Sequence, residues 1–332
     1  MAEGNSLAVL APRTEAGGRP WSDHWYHYVN DPTFGMVKVA FLWSLAADDD
    51  ATPRAYVHVA VDPLDGPSRQ YDHHTDDFVA RPVDGGVDGH FLFEVPGVAR
   101  FERDRLRVTL PEVTVEVDLT GPFVPYFSDA PGASPFLGDL LDAPMPTGHW
   151  MITTLGSPVQ YRFHDDVATH DGPGLMYAER GWGVTQAHGF TYMVAVAEGV
   201  QVMFAGGVTE TGDEVWGGRI RVDDRDLTFL PFRDGHGATS QMDPARAWVR
   251  LEVTDGQHEA AVEATAPRDA FYDHTTPSLT VFRSDNPVMK TMDAHLEVVV
   301  RDGGVEVARA AVPQAILEFG GVRYAAEPAG IS

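Results

Sequence analysis

From Glu112 to Leu119 the chain alternates without a break, with Val113, Val115, Val117 and Leu119 interleaved with Glu112, Thr114, Glu116 and Asp118. A period of two sends successive side chains to opposite faces of an extended strand, so one face of this segment is apolar and the other is wet. The same period recurs in Val57, Val59 and Val61, in Val249, Leu251 and Val253, and in Leu296, Val298 and Val300. Asp84-Gly85-Gly86, Asp88-Gly89, Asp255-Gly256 and Asp302-Gly303 supply the glycines that tight hairpin turns need for positive φ. Helical periodicity is nearly absent, which predicts an all-β chain of antiparallel hairpins. Many short strands must hide their edges, so closure into up-and-down barrels is the expectation and a sandwich the alternative.

At 332 residues the chain is too long for one ordinary core and suits two domains of roughly 150 residues. Two aromatic hairpins hint at an internal duplication: Trp25-Tyr26-His27-Tyr28 leads to Val37–Leu42, and Phe190-Thr191-Tyr192-Met193 leads to Val200–Phe204. No apolar run approaches the ~20 residues of a membrane-spanning helix, and the first residues lack a basic start followed by an apolar stretch. A soluble, cytoplasmic protein is expected. The absence of cysteine removes disulfides, thiolate metal sites and thiol nucleophiles together, leaving oxygen and nitrogen groups for any chemistry. A formal charge of −25, with scattered arginines and only Lys38 and Lys290 for lysine, disfavours nucleic acid and anionic membrane as partners. Phosphate-loop, dinucleotide and nucleophile-elbow motifs are all missing from the sequence.

Two segments carry a family resemblance. Ser22-Asp23-His24-Trp25-Tyr26-His27-Tyr28 keeps the Trp-Tyr pair of a Glu-Trp-Trp-Tyr opening strand, and Gly174-Leu175-Met176-Tyr177-Ala178-Glu179-Arg180-Gly181-Trp182-Gly183 matches a Gly-x-x-Tyr-x-Glu-x-x-Trp-Gly element. Both resemble the family of carotenoid 1,2-hydratases, tocopherol cyclases, AttH-like proteins and related cyclases and Diels–Alderases. The chain departs from the family's usual Phe-Pro continuation with Val184-Thr185-Gln186-Ala187-His188, which bears on the substrate. The resemblance implies two tandem lipocalin-like antiparallel β-barrels, here residues 19–185 and 186–328, with a ligand pocket within or between them. It also implies cofactor-free cyclisation, hydration or pericyclic ring closure.

Within that element Glu179 is the candidate acid: a carboxyl enclosed by Tyr177, Trp182 and Tyr192 would be desolvated, which favours its protonated form. The structural alternative is a salt bridge from Glu179 to Arg180 or another arginine. Trp25, Tyr26, Tyr28, Trp150, Tyr177, Trp182 and Tyr192 are the candidate ring lining for an apolar or cationic guest. His188, a few positions on, is the preferred second acid–base residue, ahead of His149, Asp273, His274 and His295. The histidines at 73, 74, 164 and 170 lie among acidic residues, but adjacent residues of a strand face apart; they read as solvated acidic loops, and no metal is expected. The resulting expectation is a cofactor-independent enzyme that acts on a hydrophobic terpenoid, steroid-like or polyketide-like molecule by acid-assisted cyclisation, hydration or isomerisation. The alternative is a non-catalytic carrier of such a molecule.

Overall fold

The computed structural model describes residues 12, 21–46, 52–83, 90–126, 148–183, 189–208, 214–273 and 288–320. They form two compact units, each built on one antiparallel sheet. The first contains β1 (Trp21–Asp31), β2 (Gly35–Leu45), β3 (Arg54–Pro63), β4 (Arg69–Thr75), β5 (Val79–Pro82), β6 (Phe91–Val95), β7 (Ala99–Glu102), β8 (Arg105–Thr109), β9 (Val113–Leu119), β10 (Gly148–Asp165) and β11 (Thr169–Gly183). Their order is β4-β3-β2-β1-β11-β10-β9-β8-β7-β6-β5, two meanders zipped together by the β1–β11 ladder.

Ring contacts show how far this sheet curls. In ladder order β1 and β6 are six strands apart, a separation of about 29 Å in a flat sheet at roughly 4.8 Å per strand. Yet the Trp25 ring on β1 lies 6.0 Å from both Phe91 and Phe93 on β6 and 6.0 Å from Phe101 on β7. Phe41 on β2 stacks on Phe101 at 4.9 Å. The sheet is therefore nearly closed around a packed aromatic interior. Its backbone ladder stops at a seam between β4 and β5, where complete closure was expected. β5 is four residues long and ends at Pro82, which has no N–H to donate, while β4 presents the charged or polar edge by which proteins discourage further pairing. Elsewhere along β4, Arg69 and Tyr71 each donate to Asp165 at the end of β10, both at 2.7 Å. β4 also corrects one reading of the sequence, because Tyr71-Asp72-His73-His74-Thr75 is an alternately exposed edge strand and not a loop.

Residues Val113–Leu119 form the half-buried strand that their alternation predicts. β3 does not behave so simply, since Tyr56, His58 and Ala60 are buried along with Val57, Val59 and Val61. The same holds on β2 and on β1 from Tyr26 onward, where the residues facing away from the barrel core are buried as well.

The second unit contains β12 (Gly189–Ala197), β13 (Val200–Val208), β14 (Glu214–Val222), β15 (Arg225–Phe229), β16 (Gly237–Asp243), β17 (Trp248–Thr254), β18 (His258–Thr265), β19 (Tyr272–Asp273), β20 (Val288–Asp302) and β21 (Val305–Gly320). Its order, β15-β14-β13-β12-β21-β20-β18-β17-β16 with β19 beside β20, repeats the plan of two meanders joined by first and last strands. The Asp255-Gly256 and Asp302-Gly303 signals mark real turns, with φ of 91° at Gly256 and 55° at Gly303. Met193, Phe204, Trp216, Leu251, Val262, Leu296 and Phe319 fill the core.

Registers make the duplication explicit. In the first sheet Tyr26 stands opposite Ala40 on one side and Glu179 on the other. In the second, Tyr192 stands opposite Ala205 and Glu318. The last strands align as Glu179-Arg180-Gly181 and Glu318-Phe319-Gly320.

Candidate functional site

Alternation along β11 sorts the residues of the Gly174–Gly183 element onto two faces. Ala178 and Trp182 join the first core together with Met176, and Arg180 lies on the same side. There Arg180, fully buried, donates to both carboxylate oxygens of the equally buried Asp23, the Nη2 bonds measuring 3.1 and 3.0 Å. The guanidinium sits between two indoles, 4.8 Å from the Trp25 ring and 4.7 Å from that of Trp182. The salt bridge considered for Glu179 is thus made by Asp23, because Glu179 and Arg180 are neighbours on a strand and point to opposite faces.

Tyr177 and Glu179 occupy the other face. Glu179 is 3% exposed, and its Oε2 accepts hydrogen bonds from Trp150 Nε1 at 3.1 Å and from the Tyr177 hydroxyl at 2.7 Å. An indole N–H can only donate, so Oε2 is fixed as an acceptor, and a carboxyl proton on this residue would stand on Oε1. Burial first, and then the neighbouring Glu179 carboxylate, push the Tyr177 phenol well above its ordinary range, keeping it a donor. Tyr28 lies opposite Tyr177 with ring centroids 5.7 Å apart, and Tyr26 lies opposite Glu179. Lys38 on β2, also fully buried, places Nζ 5.0 Å from the centre of the Tyr26 ring.

The row through Glu179 and Tyr26 continues across Ala40 to His58 on β3 and Asp72 on β4. His58 Nδ1 lies 2.7 Å from Asp72 Oδ1, and the Tyr56 hydroxyl donates to the same oxygen. Partial burial pushes the Asp72 carboxyl up, but the bonds from His58 and Tyr56 and the charge of His58 outweigh it and hold the group below its ordinary range. Among the described residues no three His, Asp or Glu side chains converge as a metal-binding group.

The structure therefore brings together Glu179, Tyr177, Trp150, Tyr26 and Tyr28. Trp25 and Trp182 are separated from Glu179 by the sheet itself, so the predicted enclosure by Trp182 is corrected. Tyr192 belongs to the second unit, on β12, where it meets Lys290 and Glu318. His188 and His274 lie outside the described residues, as does the side chain of His149. His295 is exposed and pairs with Glu297 at 3.3 Å. Lys38, Tyr56 and His58 were missed by reasoning from sequence. For Lys38 a signal existed, a lone lysine between valines in an apolar strand of a chain with only one other lysine.

No protein-family model matches the sequence, and no curated protein matches it either. Among solved structures, an AttH-like protein from Nitrosomonas europaea superposes with a TM-score of 0.54 at 13% identity, over 95% of this chain and 95% of the other. Kievitone hydratase from Nectria haematococca does so with a TM-score of 0.54 at 11% identity, over 95% and 92%. The chain has the AttH-like fold. At such identities the likeness is one of architecture, and it agrees with the two-barrel family that the Trp25-Tyr26 and Glu179 elements resemble. Among the described residues no helix is long and apolar enough to cross a membrane.

Proposed function

We propose that the protein is a cofactor-independent enzyme that protonates an apolar, alkene-bearing small molecule, with Glu179 as the acid, and that hydration is its simplest outcome. The carrying observation is a carboxyl 3% exposed, held on one oxygen by Trp150 and Tyr177 and surrounded by Tyr26 and Tyr28 on the same sheet face. In the proposed step the alkene π pair takes the proton from Glu179 Oε1, forming a C–H bond and leaving a carbocation beside a new carboxylate. Tyrosine faces stabilise such a cation, each by roughly 0.5–2 kcal/mol, and the carboxylate adds its charge at short range. Water then attacks the cation and returns a proton to Glu179, restoring the starting state. Capture by an internal nucleophile in place of water gives cyclisation, and loss of a neighbouring proton gives isomerisation. The AttH-like fold and the hydratase among its structural neighbours support this reading, and the substrate classes in view remain isoprenoid, steroid-like and polyketide-like molecules.

The test is Glu179→Gln, which keeps shape and hydrogen-bonding capacity while removing the transferable proton. Wild-type protein incubated with a panel from those three classes should yield a product heavier by one water, or an isomer, by mass spectrometry. The variant should bind the same compound and convert it about 10²–10⁴-fold more slowly. Conversion at the wild-type rate by a folded Glu179→Gln protein sinks the acid assignment, and binding without conversion by the wild type makes the protein a carrier.

A further inference from the structure

β15 and β16 are the outermost strands of the second sheet, and no ladder joins one to the other among the described residues. Only residues 230–236 lie between them. Leu227 and Phe229, at the end of β15, face the core, and Met242 on β16 packs against the same core. Two successive turns fold the connecting segment: Arg233 N–H donates to the Leu230 carbonyl at 3.4 Å, and His236 N–H to the Arg233 carbonyl at 3.0 Å. A third bond closes it, from Leu230 N–H to His236 Nδ1 at 3.0 Å. Leu230 directly follows β15 and His236 directly precedes β16, so this bond ties the end of one edge strand to the start of the other. The segment is a strap across the seam of the sheet.

The chemistry of that third bond sets it apart. A backbone N–H can only donate, so Nδ1 of His236 carries a lone pair and the single ring hydrogen stands on Nε2. An imidazolium has a hydrogen on both nitrogens and nothing with which to accept. Protonation of His236 and its bond to Leu230 are therefore mutually exclusive. Burial first, and then the charge of Arg233 on the strap, hold His236 below its ordinary 6.5 against the pull of Asp255 in the β17–β18 turn. Asp255 is itself engaged by His258, whose N–H and Nδ1 lie 2.6 and 3.0 Å from its carboxylate, and Asp234 on the strap is exposed.

We propose that His236 is an acid-operated latch: neutral, it holds the strap closed across the β15–β16 seam; protonated, it lets go and the seam opens. Opening bares Leu227 and Phe229 beside Phe232, which is already 71% exposed on the strap. The device makes no use of Glu179, which belongs to the first unit. In the open strap His236 takes up a proton near 6.5 and in the closed strap it does not, so closure is complete above that value and is lost as pH falls below it. An opening equilibrium linked to this one proton rises about tenfold between about pH 7.5 and about pH 5.5.

The experiment is amide hydrogen exchange of the full chain at those two pH values, corrected for the intrinsic pH dependence of exchange, with His236→Asn and His236→Ala alongside. The asparagine carbonyl accepts where Nδ1 did but does not titrate. In the wild type, protection of the Leu230 amide should fall about tenfold at the lower pH, with those of Arg233 and His236 following, while Leu251 and Val262 in the central strands keep theirs. His236→Asn should hold the strap closed at both values, and His236→Ala should leave it open at both. Nile red, an uncharged dye for apolar surface, should bind the wild type more strongly at the lower pH and His236→Asn equally at both. Leu230 protection that does not change with pH in the wild type, or that falls as much in His236→Asn, overturns the latch. Loss of protection with no rise in dye binding overturns the opening of the seam.

Discussion

Removing the Asp23 carboxylate should be among the most damaging single changes available in the first unit. Arg180 is fully buried, and its guanidinium is neutralised by Asp23, 157 residues away in sequence. Asp23→Ala leaves that charge in the core beside the Trp25 and Trp182 rings, without the carboxylate that neutralises it. Breaking a buried pair by removing one partner costs about 3–5 kcal/mol, of which the rings, at roughly 0.5–2 kcal/mol each, are already part of the native balance. For a unit of this size a loss of that order lowers the melting temperature by roughly 6–20 °C. Taking away both charges together, as Asp23→Leu with Arg180→Met, removes the desolvation penalty along with the attraction and should return the protein to within about 1–2 kcal/mol of wild type. Urea unfolding followed by tryptophan fluorescence at neutral pH measures all three proteins, and the single variants Asp23→Leu and Arg180→Met, measured with the double variant and wild type, complete the cycle that isolates the coupling. A loss below about 1 kcal/mol in Asp23→Ala, or a double variant as unstable as the single one, would refute this account of the pair.

His27 gives a pH signature. It stands against Phe41 and Phe101 with ring centroids 6.1 and 4.6 Å away, and burial brings its pKa down from 6.5 to about 4. The unfolded chain takes up a proton as pH falls through 6.5 and the folded chain does not until about 4, so this contribution is intact above that window and is lost on acidification through it. Between about pH 7 and about pH 4.5 the loss amounts to about 2.5 kcal/mol, and His27→Leu should remove that part of the slope in paired urea titrations. Amine acylation offers a separate check on burial: neither Lys38 nor Lys290 should be modified in native protein by a water-soluble acylating reagent, and peptide mapping should find both modified after denaturation. Rapid native labelling of either one would contradict its placement.

What could be read from the sequence follows a physical rule. Alternation reports one-sided burial, so Val113–Leu119 announced both its strand and its faces, while β2, buried on both sides over nearly its whole length, carries no period to read. The Asp255-Gly256 and Asp302-Gly303 turns were legible because positive φ has few other tenants. The neighbourhood of Glu179 was located by its motif, but its neighbours were partly misassigned. Positions 179 and 182 differ by an odd number and must part company on a strand, the same parity argument that separated His73 from His74. The pairing of Asp23 with Arg180 depends on which strands meet in the β1–β11 ladder, and that of Arg69 with Asp165 on how the sheet curls, and neither leaves a trace in a single sequence. The shared Glu-x-Gly of the two last strands was visible, but three residues are too few to weigh until registers align them.

The β1–β11 ladder also sets a clock for synthesis. Ser22 pairs with Gly183, so the strand that opens the first barrel waits for its partner while some 160 further residues are made, on the order of 10–30 s at ribosomal rates. Throughout that time the meander of β1 to β4 has an open, aromatic edge, with Trp25 and Tyr26 on opposite faces of the unpaired strand. A nascent chain of this design cannot bank partial stability as it emerges, since the contact that unites its two meanders is also among the last to become available. Its dependence on holding factors during translation should fall abruptly once β11 clears the exit tunnel.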